Sequence, residues 1–293
     1  MWNQKSHAKE WLIFPENIGK RLSIDETSLS NGELYTILTN KAAKGKKGSI
    51  VAMVAGTKAE LVVAVIEKIA LKQRNLVTEI TLDMAGNMGL IAKKCFPNAT
   101  RVIDRFHVQK LASEALQEIR IKYRWQAIDQ ENEAIEKARK NRKKFEPEVL
   151  NNGDTLKQLL ARSRYFLYKN KSKWTPNQLE RANILFGLYP DIQNAYNLTQ
   201  DLRNIFEKTT DKIIGFARLA KWHEKANQSG FKSFNTISRT ITNHYQTILN
   251  YFDNRSTNAS AEAFNAKIKA FRTQFRGVRN IEFFLFRLTN IYA

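Results

Sequence analysis

Three acidic residues, far apart in the chain, carry the residue types that phosphodiester chemistry needs: Asp25, Asp83 and Glu262. Asp25 and Asp83 each close a stretch that alternates like a β-strand, over 21–26 and 78–83. Glu262 falls within 258–272, which reads as one helix with two faces. Phe264, Ile268, Phe271 and Phe275 form an apolar stripe, and Glu262, Asn265, Lys269 and Arg272 lie along another side. Cleavage of a phosphodiester by two metal ions uses carboxylates that bridge and flank divalent cations about 4 Å apart. Mg²⁺ prefers oxygen ligands and keeps waters, so three carboxylates suffice. Each residue also has a plainer reading: a strand-end Asp serves as a turn or cap residue, and a Glu among lysines forms a surface ion pair. Asp104, in Asp104-Arg105-Phe106-His107, fits a helix N-cap with a satisfied histidine one turn on.

The elements that must position these acids follow the same periodicities. Strands are expected over 21–26, 34–38, 49–55, 78–83 and 100–104, with a basic hairpin loop at 41–48. Helices are expected over 59–70 and 87–96. Hairpin strands followed by βα units give a mixed α/β sheet, whose strand ends are where such sheets gather their sites. Residues 1–20 read as a partly helical lead-in anchored by Trp2, Trp11 and Phe14.

From Phe106 onward the pattern turns helical. Val108, Leu111, Ala115, Ile119 and Tyr123 share one face, and 131–144 is a charged, solvated one. Further helices are expected over 156–168, 175–188, 191–206, 212–226 and 234–252, with Thr175-Pro176 as a cap. A basic turn at 276–279 leads to a terminal apolar helix over 281–291. The expected organisation is a sheet domain from 21–105 and 256–293, interrupted by an all-helical insertion at 106–255.

Composition narrows the partner. The net charge is +20 over 293 residues, with 48 Lys and Arg against 28 Asp and Glu. A field of that sign attracts polyanions, nucleic acid first. No segment is apolar enough to span a membrane, and no signal-like start is visible. A single cysteine, Cys95, excludes an internal disulfide and a cysteine-rich zinc element within these residues. An intracellular protein is the natural expectation, without a membrane.

Several segments together resemble the DDE transposases of bacterial insertion sequences, in particular the ISL-three family. They are Ile24-Asp25-Glu26-Thr27-Ser28, Leu82-Asp83-Met84-Ala85-Gly86-Asn87-Met88, Val102-Ile103-Asp104-Arg105-Phe106-His107-Val108, and the stretch from Thr257 through Glu262, Asn265, Lys267 and Lys269 to Asn280. The resemblance covers roughly residues 20–293. It implies a ribonuclease-H-like mixed sheet interrupted by a large all-helical insertion before the catalytic Glu. It implies two Mg²⁺ or Mn²⁺ ions on Asp25, Asp83 and Glu262. His107 then acts close to the active site, as a supporting residue or a scissile-phosphate contact, and Asp104 is the rival for the second ligand. Aromatic stacking beside the cut would fall to Trp125, Trp174 or Trp222, with Trp222 favoured for its polar neighbours. Lys267, Lys269, Arg272, Arg276 and Arg279 would hold phosphates.

The implied activity is metal-dependent hydrolysis at insertion-sequence ends and strand transfer to target DNA, by a homo-oligomer acting at the bacterial nucleoid in the cytoplasm. The alternatives are an inactive DNA-binding remnant and a structure-selective nuclease of the same fold. The family's usual N-terminal zinc-binding and helix-turn-helix region has no counterpart before Asp25. The expectation is that a separate DNA-recognition polypeptide supplies it or that the gene is truncated.

Overall fold

The computed structural model describes residues 2–29, 33–274 and 280–293. Its strands are β1 (Trp11–Ile13), β2 (Arg21–Ser28), β3 (Leu34–Asn40), β4 (Ile50–Ala55), β5 (Glu79–Leu82) and β6 (Thr100–Ile103). Its helices are α1 (Ala59–Ile66), α2 (Leu71–Arg74), α3 (Gly86–Cys95), α4 (Arg105–Lys140), α5 (Leu156–Leu167), α6 (Pro176–Leu188), α7 (Pro190–Lys208), α8 (Lys212–Gln228), α9 (Lys232–Asn243), α10 (Tyr245–Leu249), α11 (Tyr251–Asn254), α12 (Ala259–Gln274) and α13 (Ile281–Tyr292). The chain forms two compact units, 1–107 with 244–293 and 108–243.

The first unit is built on a six-stranded mixed sheet in the order β1-β4-β3-β2-β5-β6. β1 to β4, β4 to β3 and β3 to β2 are antiparallel; β2 to β5 and β5 to β6 are parallel. Both faces are covered, and the period-two alternation decides what goes where. Leu22, Ile24, Ile80 and Leu82 face α1 and α3, packing with Val62, Ile66, Met88 and Ile91. Ile37, Ile50 and Met53 face the other way and pack with Phe264 and Ile268 of α12 and with Phe284, Leu285 and Leu288 of α13. The apolar stripe of the Glu262 helix is therefore a core face. Phe275, its last expected member, lies outside the described residues.

Three expectations change here. The lead-in contributes an edge strand, β1, flanked by single 3-10 turns, because the apolar run Trp11-Leu12-Ile13 satisfies its backbone on β4. β2 continues to Ser28 along β3, so Asp25 sits inside a strand rather than at its end. The helix expected over 234–252 is three shorter ones, α9, α10 and α11.

The second unit is helical. α5 and α6 begin with reciprocal capping boxes, Thr155 with Gln158 and Thr175 with Gln178, and Pro176 occupies the first turn of α6. Leu159, Leu160, Leu185, Leu202 and Phe206 are among its fully buried residues. Its two buried charges are paired: Arg120 donates to Gln117 Oε1 at 2.6 Å and to the Leu160 carbonyl at 2.7 Å. Asp154, 1% exposed, accepts from Arg162 and from Arg181, the latter at 2.7 Å.

Candidate active site

Sheet register brings three aspartates into one row. Ser23 pairs with Thr81, Thr81 with Val102, and Leu82 with Ile103. Continuing that register places Asp25, Asp83 and Asp104 side by side on β2 and just beyond the ends of β5 and β6. In-register neighbours point to the same face, and Asp25 is paired with Ile37, which faces α12. The row therefore lies on the face that α12 covers, and Glu262 is in the first turn of α12.

Each acid has a distinct environment. Asp25 Oδ1 accepts from the Glu26 N–H at 2.9 Å, and Oδ2 accepts from Asn265 Nδ2 of α12 at 2.7 Å. Burial pushes the Asp25 carboxyl above its usual range, with the Glu26 N–H and His107 opposing and Asp83 and Glu26 adding to the rise. Asp83 Oδ1 accepts from the Ala85 N–H at 2.8 Å, ahead of α3. Asp104 is 1% exposed; its Oδ1 accepts from the Phe106 N–H at 3.1 Å, at the start of α4, and its Oδ2 from the Asn258 N–H at 3.0 Å. Glu262 is raised by burial, and then by the nearby charges of Asp104 and Asp25, with His107 opposing.

The tightest grouping is Asp104, His107 and Glu262. One ligand atom from each lies within 4.8 Å of the others, and this is the only such His, Cys, Asp or Glu group among the described residues. His107 Nε2 is buried and has no hydrogen-bond partner. Among the described residues no Lys or Arg forms an ion pair with Asp25, Asp83, Asp104 or Glu262. Like charges brought together without a counter-cation, beside an imidazole nitrogen with nothing to bind, form a donor set that suits a divalent cation. The surface ion-pair reading of Glu262 is thereby excluded. The N-cap reading of Asp104 holds for one of its oxygens, while the other ties it to Asn258.

Other residues fix the arrangement, and sequence reasoning passed over two of them. Asn258, fully buried, anchors the start of α12 through its N–H on Asp104 and its Nδ2 on the Ile24 carbonyl at 3.4 Å. Glu79, 3% exposed, accepts from Lys41 at 3.4 Å, Ser256 at 2.5 Å and Asn254 at 3.1 Å. It thus holds the segment between α11 and α12. The period-two polar row Glu79, Thr81, Asp83 was the available signal, since polar residues repeated on one face of a buried strand need partners there.

The expected DNA contacts fare differently. Trp222 is 2% exposed and its indole N–H donates to the Leu198 carbonyl at 2.8 Å, so it is a core residue and cannot stack on a base. Trp125, by contrast, is 57% exposed. Lys267 is exposed, but its Nζ donates to the Gly45 carbonyl at 2.7 Å and lies over the Tyr292 ring, which ties the side chain down. Gly45 has φ +71°, a backbone conformation that favours glycine. Arg272 is half-buried, with its guanidinium toward the Leu29 carbonyl at 3.4 Å. Lys269 is exposed. Arg276 and Arg279 lie outside the described residues.

A transposase family profile of the DDE ISL3 type matches residues 22–288, from β2 to α13. The chain belongs to that family of insertion-sequence transposases. No curated protein matches it. Membership implies action on DNA, which agrees with the charge of +20. Among the described residues no helix is long and apolar enough to cross a membrane.

Proposed function

We propose that this protein is a metal-dependent DNA transposase that hydrolyses a phosphodiester at the ends of its insertion sequence and joins the freed 3′-hydroxyl to target DNA. The observation that carries the reading is the convergence of Asp104, His107 and Glu262, with Asp25 close enough to perturb Glu262, in the absence of any paired cation. The strand order β4-β3-β2-β5-β6, antiparallel and then parallel, supports a ribonuclease-H-like sheet unit into which 108–243 is inserted.

Asp25, Glu262 and one further aspartate would hold two Mg²⁺ or Mn²⁺ ions. Geometry favours Asp104 as that third ligand, with the His107 ring beside it; the family resemblance favours Asp83. A bound divalent ion makes water a nucleophile near neutral pH and stabilises the leaving oxygen. The protein's own groups position the ligands. Asn265 orients Asp25, and the Asn258 N–H fixes Asp104. Exposed Lys269 holds a phosphate, and the enzyme works as a homo-oligomer on paired ends at the nucleoid.

The test is cleavage of a duplex carrying the element end by Glu262→Gln, Asp104→Asn and Asp83→Asn, with DNA affinity measured in parallel. Glu262→Gln should keep DNA binding and lose cleavage on the order of 10³-fold or more. Retained cleavage in that variant overturns the proposal. Loss in Asp104→Asn with retention in Asp83→Asn assigns the third ligand to Asp104, and the reverse returns it to Asp83.

A further inference from the structure

The helical unit contains a cavity of about 270 Å³ between α7 and α8 whose lining is strongly basic. From α7 it receives Asn204 and Lys208; from α8 it receives Arg218, Lys221 and Lys225. Both rows follow helical spacing. Arg218, Lys221 and Lys225 stand at i, i+3 and i+7, one stripe along α8. At 1.5 Å rise per residue the stripe is about 10 Å long, which matches roughly three base-pair steps measured along the duplex axis.

The lining holds four cations and one acid, Asp201. Asp201 pairs with Lys225 at 2.9 Å, with both side chains well exposed, so this pair settles little of the repulsion. Lys208 and Lys221 have no acidic partner among the described residues. Arg218 donates one N–H to Thr209 Oγ1 at 2.9 Å, and a guanidinium has five. Trp222 forms part of the wall, held by its bond to Leu198. Here four exposed cations are gathered around a hollow with a rigid aromatic wall. Solvent screens their mutual repulsion, and the positive field concentrated at the hollow attracts an anion.

We propose that the α7–α8 cleft is a binding site for the phosphodiester backbone of duplex DNA, separate from the carboxylate site. The sequence expectation attached to Trp222 passes to its neighbours: the tryptophan builds the wall, and Lys208, Arg218 and Lys221 make the contact. The inference rests on the protein acting on DNA, not on the carboxylates cutting it.

The experiment uses the full chain without divalent ion, so a failure of the catalytic reading leaves it intact. Lys208→Gln with Lys221→Gln is compared with Lys137→Gln with Lys140→Gln, which removes the same charge from exposed positions of α4. Affinity for a duplex oligonucleotide is measured by fluorescence anisotropy between about 0.1 and 0.3 M salt. The cleft variant should lower the slope of log K against log salt by about two and weaken binding on the order of tenfold at about 0.2 M salt. The α4 variant should change affinity less than about threefold, since it alters only the general field. Lys208→Arg with Lys221→Arg should restore binding. Equal effects of the two Gln pairs would overturn the proposal. So would a cleft variant with unchanged duplex affinity whose only loss is the shift in tryptophan fluorescence that inorganic phosphate produces in the parent, because the cleft would then take a free anion.

Discussion

Asp154 in the helical unit and Asp25 in the sheet unit are both withdrawn from water, and their surroundings are opposite. Burial pushes Asp154 up, but the guanidiniums of Arg181 and Arg162 outweigh it and hold its carboxyl below the usual range. Asp25 has an amide, Asn265, where Asp154 has two cations, and its carboxyl is held above the usual range by burial. The shortage is not of lysine or arginine. On β5, two strand neighbours before the Asp83 row, Glu79 is paired with Lys41. Where a buried acid serves only the fold, this protein neutralises it. Along the Asp25, Asp104 and Glu262 side of the sheet it does not, which is the arrangement the proposed metal site calls for.

That contrast can be broken most directly by giving Asp25 a cation. Asn265→Lys puts an ammonium beside Oδ2, and cleavage should fall on the order of 10³-fold or more, while thermal stability without divalent ions stays level or rises. Cleavage assays and thermal melts on the same preparation read both; intact cleavage would mean that Asp25 needs no free oxygen. Next in size is the reverse experiment. Asp154→Asn strips the partner from Arg162 and Arg181, and the cost should be about 1–3 kcal/mol, reduced by the partial exposure of both arginines. Because the folded-state value of Asp154 is depressed, its contribution is complete above the unfolded value near pH 4 and disappears as pH falls through the lower folded one. Denaturant melts should therefore show the gap between parent and variant closing in acid; a gap independent of pH would contradict the ion-pair account.

A smaller effect is expected from Asp25→Asn. With burial opposing its charge, the variant should be no less stable than the parent in divalent-free buffer, and Mn²⁺ should raise the melting temperature of the parent more than that of the variant. A marked loss of stability in divalent-free buffer would place Asp25 with the structural acids. The smallest effect separates two lysines of α12. Lys267→Met should change DNA affinity less than Lys269→Met, since only Lys267 is spent on the Gly45 carbonyl. Equal losses would show that the Lys267 contact opens when DNA binds.

Much of this was readable from residue pattern. The alternation around Leu22 and Ile24, the 3.6 periodicity of Phe264 and Ile268, and the capping signals at Thr175 and Pro176 are local, and each element formed where they indicate. β1 was harder to read, because three residues carry too little alternation to distinguish a strand from a lead-in. The fate of Trp222 could not be read at all. Its neighbours in sequence are polar, but burial depends on α7, whose Leu198 carbonyl takes its N–H.

By itself, the sequence determined that a mixed sheet and a helical segment exist and that the chain is strongly basic, and it singled out Asp25, Asp83 and Glu262 as candidate metal ligands, with Asp104 as a rival and His107 beside them. Periodicity is a property of neighbours in the chain, so it reports faces and elements. Only the tertiary structure decided which of these acids meet. The parallel register of β2, β5 and β6 sets the three aspartates in a row, and a slip of one residue would have turned any of them to the opposite face. The seating of α12 on that sheet, fixed by Asn258 and by the Glu79 network, then brings Glu262 to Asp104 and His107 across more than a hundred and fifty residues of chain.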